Sequence, residues 1–505
     1  MAPAQPSLLA LALALASAAS PPPCAPPALD PPSLARWGGD VAARPLAPGS
    51  PLSACAALCC ASAGCVAFSF NAPQPYQSCL GGSCCEAGGT CCMLKDSPGT
   101  LQNNTFAPGQ VTTGTLPPRP KAPGPTPPFP ASALITNVSW GPVGWWTAQP
   151  SGGDTWPSAW AADGSTYAWD CDSHGSPMSL WRLQGSPTAG NGSVVPVLQG
   201  SLQPIDYQAL CAQYGRTGSY PYVNVKPAGM VALPATPAAP NGTLLLGVSC
   251  MNYGDDAGFN RQHNLGGFLA ASTDSGLTWS NVTAVGAFAG RLAAPAFVSC
   301  GQANAPCSAK DGGLLYVFFP GASNDEAYWD NNDGLWLGRV LQVQLQNVSA
   351  YEYYVGLDGA GQPQWSSDAS QAQPSLAFGR MVGEGPVTYV PALQRYLFAN
   401  FGFIDDSGAP RPWHTQPFMT PHRTQLVLLE APQPWGPWSV FWRDDDSAQA
   451  PGLYTPTFPS QWVQERVGNT LTLGMAFACL DGALNCRYTL NYQALTLTLA
   501  ETGEA

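Results

Sequence analysis

The stretch Trp156-Pro-Ser-Ala-Trp160 decides the fold, because segments of the same kind recur along most of the chain. Each segment opens with proline or small residues, leads into an apolar strand, and is followed by a turn and further apolar strands. A repeat of about 70 residues with four short strands is typical of a β-propeller blade. Five repeats therefore predict a mostly β fold with a five-bladed β-propeller over residues 133–500. The other opening segments are Ala228-Gly-Met-Val-Ala232, Pro295-Ala-Phe-Val-Ser299, Pro386-Val-Thr-Tyr-Val390 and Pro456-Thr-Phe-Pro-Ser460.

The last repeat reaches the end of the sequence after its third strand. The stretch Ala133-Leu-Ile-Thr136 precedes the first repeat and is the candidate for the missing fourth strand. A blade built from both ends of the module would close the ring and remove its free sheet edges.

A change in cysteine density separates this module from the one before it. Ten of the 17 cysteines lie between Cys24 and Cys92, and the other seven are spread from Cys171 to Cys486. Between the two sets, the run from Pro117 to Pro130 contains eight prolines, which favour polyproline II and a stiff spacer. We predict a cysteine-rich domain at 24–110, a proline-rich linker at 111–132 and the propeller at 133–500.

Charge and the N-terminal sequence narrow the class of protein. With 19 Lys+Arg against 31 Asp+Glu, the formal net charge is −12, which disfavours nucleic acid and anionic lipid as partners. Leu8 to Leu15 contains only Leu and Ala and is followed by small residues, which predicts a signal peptide at 1–19 cleaved near Ala18. This run is too short to span a bilayer, and we expect no membrane span elsewhere. The expected location is extracellular.

Glycosylation sequons agree with a secretory route. Six N-x-S/T sequons occur, and turn residues beside several of them indicate exposed positions. They are Asn103, Asn137, Asn191, Asn241, Asn281 and Asn347.

The small module has a recognisable cysteine pattern. Cys55 and Cys59 are one helical turn apart, and Gly64-Cys-Val-Ala-Phe-Ser-Phe-Asn71 and Cys91-Cys-Met-Leu-Lys95 follow. A domain of this size needs disulfides to offset its small core. The pattern resembles the apple/PAN domain family over about 60 residues, which implies a disulfide-bonded fold that binds protein or carbohydrate without catalysis. The sequence does not determine which cysteines pair with each other. The alternative to disulfides is that these cysteines bind a metal in a metal–thiolate cluster.

Two further features of the large module fit propeller blades. Ser272-Thr-Asp-Ser-Gly-Leu-Thr-Trp279 matches the Asp-box of sialidase-type propellers, a hairpin turn set by Asp and Gly and anchored by Trp. Cys300 and Cys307 are seven residues apart, as are Cys479 and Cys486, so each pair is a candidate hairpin disulfide. Cys171, Cys211 and Cys250 then remain.

Carboxylates are the best candidates for chemistry. The sequence lacks G-x-S-x-G and H-E-x-x-H, and its four histidines lack ligand spacing. Asp154 and Glu384 each precede a predicted innermost strand, where side chains face the central channel. Two carboxylates converging there are the minimum for glycoside hydrolysis. Asp170 and Asp172 at the end of a strand, and Trp145, Trp146 and Trp413 in loop-like stretches, are the candidate substrate-binding residues.

These carboxylates lie in sequences that resemble family-43-type glycosidases. Glu384-Gly-Pro386 followed by Arg395-Tyr-Leu-Phe398 is similar to the stretch around that family's general acid, and Asp154-Thr-Trp-Pro157 to the stretch that holds its general base. The resemblance implies Glu384 as acid and Asp154 as base. No aspartate opens the second and third repeats, where that family has a third carboxylate; Asp255 and Asp256 are possible substitutes.

The module as a whole resembles an uncharacterised family of glycosidase-like five-bladed propellers, which implies a fold and no established activity. The matching stretches are Gly153-Asp-Thr-Trp-Pro-Ser158, Tyr351-Glu-Tyr-Tyr-Val-Gly-Leu-Asp358, Pro434-Trp-Gly-Pro-Trp438 and Tyr454-Thr-Pro-Thr-Phe-Pro-Ser460.

Two functions follow as hypotheses. The first is a secreted glycoside hydrolase that uses Asp154 and Glu384, with a carbohydrate or glycoprotein ligand. The second is a lectin-like or scaffolding propeller that binds glycan or protein without turnover. We expect no cofactor or metal, with one alternative: the loop carrying Asp325, Glu326, Asp330 and Asp333 offers hard oxygen ligands for Ca²⁺.

Overall fold

The computed structural model divides the chain into two compact units, residues 1–118 and 119–505. The predicted mostly β fold is confirmed. The predicted signal peptide and Asn191 lie outside the described residues. The structure describes residues 28–29, 34–37, 40–62, 65, 67–71, 78–80, 83–85, 89–95, 100–103, 111–115, 121–145, 152–173, 176–184, 186, 193–198, 210–214, 224–252, 261–412, 423–446, 452–479 and 486–501.

The first unit is a helix on an antiparallel sheet. The five-stranded sheet has the order β1-β9-β4-β7-β3, and β2 pairs with β8 and β5 with β6. Helix α1 spans Leu52–Ala61. The strands are β1 (Ala28–Leu29), β2 (Leu34–Trp37), β3 (Asp40–Leu46), β4 (Ala67–Asn71), β5 (Ser78–Leu80), β6 (Ser83–Cys85), β7 (Thr90–Lys95), β8 (Thr100–Asn103) and β9 (Val111–Thr115).

Disulfides connect α1 to the sheet. Cys55 and Cys59 lie on the buried side of the helix, and Cys55 pairs with Cys92 of β7. Cys59 pairs with Cys65 just before β4. A third bond joins Cys85 and Cys91. These crosslinks constrain the unfolded chain of a unit whose apolar core is small.

The second unit consists of five antiparallel sheets. Helix α2 spans Ala305–Lys310. The strands are β10 (Ile135–Trp145), β11 (Ser158–Trp160), β12 (Thr166–Ser173), β13 (Ser176–Gln184), β14 (Ser193–Leu198), β15 (Asn224–Leu233), β16 (Thr243–Asn252), β17 (His263–Ser272), β18 (Ser280–Asn281), β19 (Ala296–Phe297), β20 (Leu314–Gly321), β21 (Ala327–Tyr328), β22 (Asn332–Leu341), β23 (Glu352–Leu357), β24 (Pro363–Ser366), β25 (Pro374–Val382), β26 (Thr388–Val390), β27 (Arg395–Ile404), β28 (Arg423–Ala431), β29 (Ser439–Asp444), β30 (Leu453–Thr457), β31 (Thr470–Cys479) and β32 (Asn491–Leu499).

Sheets 1 to 4 are each built from strands that are consecutive or nearly so, whereas sheet 5 is not. Sheet 1 is β11-β12-β13-β14 and sheet 2 is β15-β16-β17-β18, to which β21 also pairs. Sheet 3 is β19-β20-β22-β23-β24 with β25 paired to β22, and sheet 4 is β26-β27-β28-β29. Sheet 5 is β10-β32-β31-β30.

Contacts at or near strands β11, β15, β19, β26 and β30 connect the five sheets in cyclic order. Strand β11 contacts β15, and β15 contacts β19. Ser299, after β19, bridges to Thr388 of β26, whose Oγ1 donates to the carbonyl of Phe458 after β30 at 2.7 Å. Thr166 Oγ1 in sheet 1 donates to Gln461 Oε1 at 2.7 Å and completes the circle.

Sheet 5 joins distant parts of the chain. Strand β10 pairs with β32 antiparallel from Ile135↔Leu499 to Trp145↔Asn491, in the place where the sequence predicted a closing strand. Residues 121–132, which the sequence assigned to the linker, lie against sheet 4. Gly124 N donates to Asp445 Oδ2 at 3.1 Å, and Ala131 bridges to Val440. These contacts hold the proline-rich stretch on the sheet, so this part is no free spacer.

Three disulfides lie in the described part of the second unit. Cys300 pairs with Cys307, and Cys479 pairs with Cys486, the combinations that the seven-residue spacing suggested. The third bond is Cys211–Cys250, which leaves Cys171 as a buried free thiol.

The turn Ser272–Trp279 connects β17 to β18. Asp274 Oδ1 accepts from the backbone N of Thr278 at 2.8 Å, and the buried Trp279 donates from Nε1 to the carbonyl of Gly276 at 3.0 Å. Among the described residues, no helix is both long and apolar enough to cross a membrane.

Sheets 2 and 3 approach each other backbone to backbone. A Cβ added to Gly247 of β16 would overlap the carbonyl oxygen of Pro295, which cannot move without displacing β19. We expect Gly247→Ala to lower the free energy of unfolding by about 1–3 kcal/mol, because overpacking forces the backbone apart. Gly379→Ala in β25 is the control, since nothing lies within 4 Å of its added Cβ. Urea unfolding of both variants measures the difference, and equal stabilities would contradict the close approach.

Candidate active site

One end of the ring of sheets gathers the polar residues that form the candidate site. Asp154 precedes β11, Lys226 lies near the beginning of β15, and Glu384 precedes β26. All three are buried, with 8%, 5% and 4% of their surface exposed. Because these positions all lie near the beginning of a strand (β11, β15 and β26), the cyclic arrangement brings residues that are distant in sequence to the same end of the ring of sheets.

Asp154 is held by donors from three strands or strand ends. Its backbone forms an antiparallel bridge with Cys171 of β12. Its Oδ1 accepts from Cys171 Sγ at 2.6 Å, and its Oδ2 accepts from Tyr454 OH at 2.8 Å and Tyr488 OH at 3.2 Å. Donors at both oxygens suit an ionised carboxylate, because only the charged form accepts fully at both.

The backbone around Asp154 is strained. Thr155, Trp156, Asp172 and Thr455 have φ of 71°, 53°, 54° and 46°. Non-glycine residues in this region cost on the order of 1 kcal/mol each, and such residues cluster at functional sites. The fully buried Trp156, whose Nε1 donates to the carbonyl of Gly153 at 3.2 Å, fixes the loop in this shape.

Burial and charge act on the pKa of Asp154 in opposite directions. Burial raises the pKa, the ammonium of Lys226 lowers it, and the carboxylate of Asp172 raises it, with a net shift upward. The thiol of Cys171 and the hydroxyl of Tyr454 are also buried, and burial raises the pKa of both far above their ordinary values. Both groups therefore stay protonated and continue to donate to Asp154.

Lys226 contacts two of the residues around Asp154. Its Nζ forms an ion pair with Asp172 Oδ2 and lies 3.4 Å from Cys171 Sγ. Its side chain is 7% exposed and that of Asp172 is 32% exposed, so the pair lies at the inner edge of the mouth.

Glu384 lies in a polar environment of a different kind. Asn264 Nδ2 of β17 donates to Glu384 Oε1, and Ser249 Oγ donates to Asn264 Oδ1 at 3.0 Å, which orients the amide. The backbone N of Glu384 donates to the carbonyl of Trp329 at 2.9 Å. Gly383 is required next to it, because an added Cβ would overlap the ring of Phe401.

Burial raises the pKa of Glu384 to about 8, with smaller opposing effects of the Asn264 hydrogen bond and of Lys226. The carboxylates of Asp330 and Asp154 raise it further. Glu384 is therefore a carboxylic acid at neutral pH, while Asp154 has the hydrogen bonds of a carboxylate.

Half-buried Trp329 contacts the surroundings of both carboxyl groups. Its carbonyl accepts from Glu384 N, and its ring packs edge-on at 5.5 Å against Tyr454, which donates to Asp154. Rings of this kind form stacking surfaces for sugars.

The residues predicted to bind substrate lie in different places. Asp172 is at the mouth, but Asp170 is fully buried and accepts from Ser179 N at 2.9 Å and Trp181 Nε1 at 3.0 Å. Its side chain has no exposed surface in this structure, and a substrate-binding role for Asp170 stays a prediction. Trp145 ends β10 half-buried, with the guanidinium of Arg487 5.3 Å from its ring. Trp146, Trp413, Asp255 and Asp256 lie outside the described residues.

The loop predicted to offer Ca²⁺ ligands directs its carboxylates to separate partners. Asp325 pairs with Arg291 at 2.7 Å, Glu326 accepts from Tyr328 OH, and Asp333 accepts from Ser323 Oγ at 2.7 Å. Ligand-type atoms come together elsewhere in the described part of the chain, where Asp154, Cys171 and Asp172 lie within 4.8 Å of one another. The positively charged side chain of Lys226 contacts Asp172 and Cys171 of this set.

Of the predicted glycosylation sites, Asn137, Asn241 and Asn347 are exposed. Asn103 and Asn281 lie in strands, and their side chains are outside the described ones.

Sequence reasoning missed Lys226, Cys171, Asn264, Trp329, Tyr454 and Tyr488. One signal was available for Lys226, since it is one of four lysines in the sequence and directly precedes a strand of the repeat. The others carry no local pattern, because their partners are up to 334 residues away.

Comparison with known proteins places most of the second unit in a family. Residues 152–476 match the family described as "Domain of unknown function (DUF4185)". No curated protein matches the chain.

Three solved structures are among those similar to the chain. The catalytic domain of a GH62 alpha-L-arabinofuranosidase from Coprinopsis cinerea is 11% identical, with 72% of this chain and 98% of that chain covered and a TM-score of 0.37. A GH43_1 enzyme from Xanthomonas citri, complexed with xylotriose, is 12% identical, with 70% and 90% covered and a TM-score of 0.35. A protein of unknown function from Dyadobacter fermentans is 10% identical, with 72% and 100% covered and a TM-score of 0.33.

Proposed function

The chain belongs to the DUF4185 family, whose name assigns no activity, and we propose from the site itself that it is a glycoside hydrolase. The observation that carries the proposal is the contrast between two buried carboxyl groups at one mouth. Asp154 accepts from three donors, whereas Glu384 accepts from one amide and keeps its proton to about pH 8. Environments that separate the pKa values of two such groups define an acid and a base.

In the proposed reaction Glu384 is the general acid. Asn264 occupies Oε1, so the proton is carried on Oε2 and passes to the glycosidic oxygen as the bond to the sugar breaks. Asp154 either takes a proton from the attacking water or attacks the sugar itself, and the product then forms with inversion or retention. Both courses use the same two residues, and Trp329 offers its ring to the sugar.

Leaving-group dependence tests the role of Glu384. Glu384→Gln is expected to lower kcat/KM by about 10²–10³-fold on aryl glycosides with poor leaving groups, which need protonation, and by less than about tenfold on 2,4-dinitrophenyl glycosides. The panel includes α-L-arabinofuranosides and β-D-xylosides. Glu352→Gln, an exposed residue paired with Arg339, is the control and keeps full activity. An equal loss on both substrate types contradicts acid catalysis by Glu384.

A non-catalytic glycan-binding protein is the second candidate. It is favoured by Lys226, because a cation lies at the start of sheet 2 where the resembling glycosidases have a third carboxylate. Saturable binding of glycans by the wild-type protein, together with no turnover of any glycoside in the panel, would establish this function in place of the first.

The surrounding architecture supports a carbohydrate-active protein outside the cell. We propose that the five sheets are the blades of a propeller, with the site at one mouth of its channel. The helix-on-sheet unit with disulfides Cys55–Cys92 and Cys59–Cys65 is proposed to be an apple-like binding domain. The disulfides of both units suit an oxidising compartment, so we propose secretion through the signal sequence at 1–19, with glycosylation at the exposed sequons.

A further inference from the structure

Lys226 is the buried cation of the candidate site, and the two-carboxylate reaction does not use it. It lies at the beginning of β15, directly before Pro227, and only 7% of its side chain is exposed. Burying an ammonium group is costly unless charged or polar partners surround it, so its position needs an explanation.

The partners of Lys226 connect it to Asp154. The ammonium pairs with Asp172 Oδ2 and lies 3.4 Å from Cys171 Sγ, and the same sulfur donates to Asp154 Oδ1 at 2.6 Å. Asp172 and Cys171 are neighbours on β12, whereas Lys226 comes from sheet 2. One cation thus reaches across from sheet 2 to the strand end that holds the base.

We propose that Lys226, anchored by Asp172 and Cys171, is a positioning residue that keeps Asp154 ionised for catalysis. The part of this proposal that concerns the rate rests on the proposed hydrolase function. The part that concerns the charge of Asp154 is independent of it.

The groups that face Asp154 show why a cation is needed there. They are Cys171 and Asp172 from β12, Lys226 from β15, Tyr454 from β30, Tyr488 before β32 and Glu384 before β26. Burial and the carboxylate of Asp172 oppose ionisation of Asp154, and the thiol and the hydroxyls are neutral donors. Lys226 is the cation of this set, and it lowers the pKa of Asp154 and of Glu384 alike.

Removing the charge of Lys226 is expected to move the pH profile of activity. In Lys226→Met the acidic limb of kcat/KM, which reports ionisation of Asp154, moves upward by about one pH unit or more. At a fixed pH on that limb, each pH unit of this movement lowers activity about tenfold. In Lys226→Arg, which keeps the positive charge, the acidic limb of kcat/KM stays near its wild-type pH. Lys121→Met removes a cation of the exposed pair with Asp446 and leaves the profile unchanged.

A direct titration separates this proposal from the hydrolase proposal. Protein labelled with ¹³C at the aspartate carboxyl carbons is titrated by NMR, and the Asp154 signal is assigned as the one lost in Asp154→Asn. The titration of Asp154 moves upward in Lys226→Met and not in Lys121→Met. If no glycoside is hydrolysed but this change is seen, the role of Lys226 stands and only the hydrolase proposal fails. An unchanged titration overturns the role of Lys226, whatever the activity. Lys226→Gln, which keeps a polar contact to Cys171, replaces Lys226→Met if circular dichroism shows the latter to be unfolded.

Discussion

Asp154→Asn is expected to lower kcat for glycoside hydrolysis by about 10³-fold or more, on activated and unactivated substrates alike. The reason is that Asp154 supplies the base or nucleophile, which every substrate needs whatever its leaving group. The loss thereby differs from that of Glu384→Gln, which depends on the leaving group. Steady-state rates on the dinitrophenyl and alkyl glycosides of one sugar measure both.

A matched control addresses the folding of this variant. Asp163→Asn makes the same change at a carboxylate that accepts from Ser165 N at 2.9 Å and Tyr167 OH at 2.7 Å, in the turn between β11 and β12. It should leave kcat unchanged. Full activity of a folded Asp154→Asn variant would refute the proposed mechanism.

The second large effect is a dependence of stability on pH that belongs to Glu384. Its pKa is about 8 in the folded protein against an ordinary value of 4.5, so the folded state holds a proton that the unfolded chain releases between these values. The free energy of unfolding therefore falls as the pH rises through this window, by roughly 1.4 kcal/mol per unit of pH. Below pH 4.5 both states are protonated and the contribution is constant.

Glu384→Gln removes this dependence because glutamine does not titrate. From about pH 5 to about pH 7.5, the stability of the variant relative to the wild type should rise on the order of 3 kcal/mol. Urea unfolding followed by tryptophan fluorescence at several pH values measures it, with Glu352→Gln at the ion pair with Arg339 as the control. A difference that does not change with pH would mean that Glu384 is ionised in the folded protein and would remove the basis for its role as an acid.

Local sequence patterns were sufficient to predict the strands, and they also made two carboxylates the candidates for chemistry. The stretch Pro386-Val-Thr-Tyr-Val390 predicted a strand, and the structure has a strand at Thr388–Val390. The prediction was possible because a short apolar run is typical of a buried strand. Asp154 and Glu384 could be proposed because each precedes such a strand within a short motif. A short motif, however, does not show how deeply a carboxylate is buried, and the same reasoning did not foresee that Asp170 has no exposed surface.

The partners of the carboxylates were beyond the sequence for a physical reason. Tyr454 donates to Asp154 across 300 residues, and Asn264 donates to Glu384 across 120. Such pairs depend on the order in which the sheets pack. The hydrophobic periodicity of the sequence does not predict this order. The contacts of Gly124 and Ala131 with sheet 4 were also missed. A proline-rich composition indicates that a chain is stiff, but it does not indicate which surface the chain packs against.

The pairing of β10 with β32 has a consequence for biosynthesis. These strands, Ile135–Trp145 and Asn491–Leu499, lie near the two ends of the second unit. During synthesis β10 therefore has no partner until β32 has been made. Until then the nascent polypeptide presents unpaired edges, which invite aggregation and make assembly slow. Closure of sheet 5 is therefore a late step in the folding of this unit, because it requires both strands.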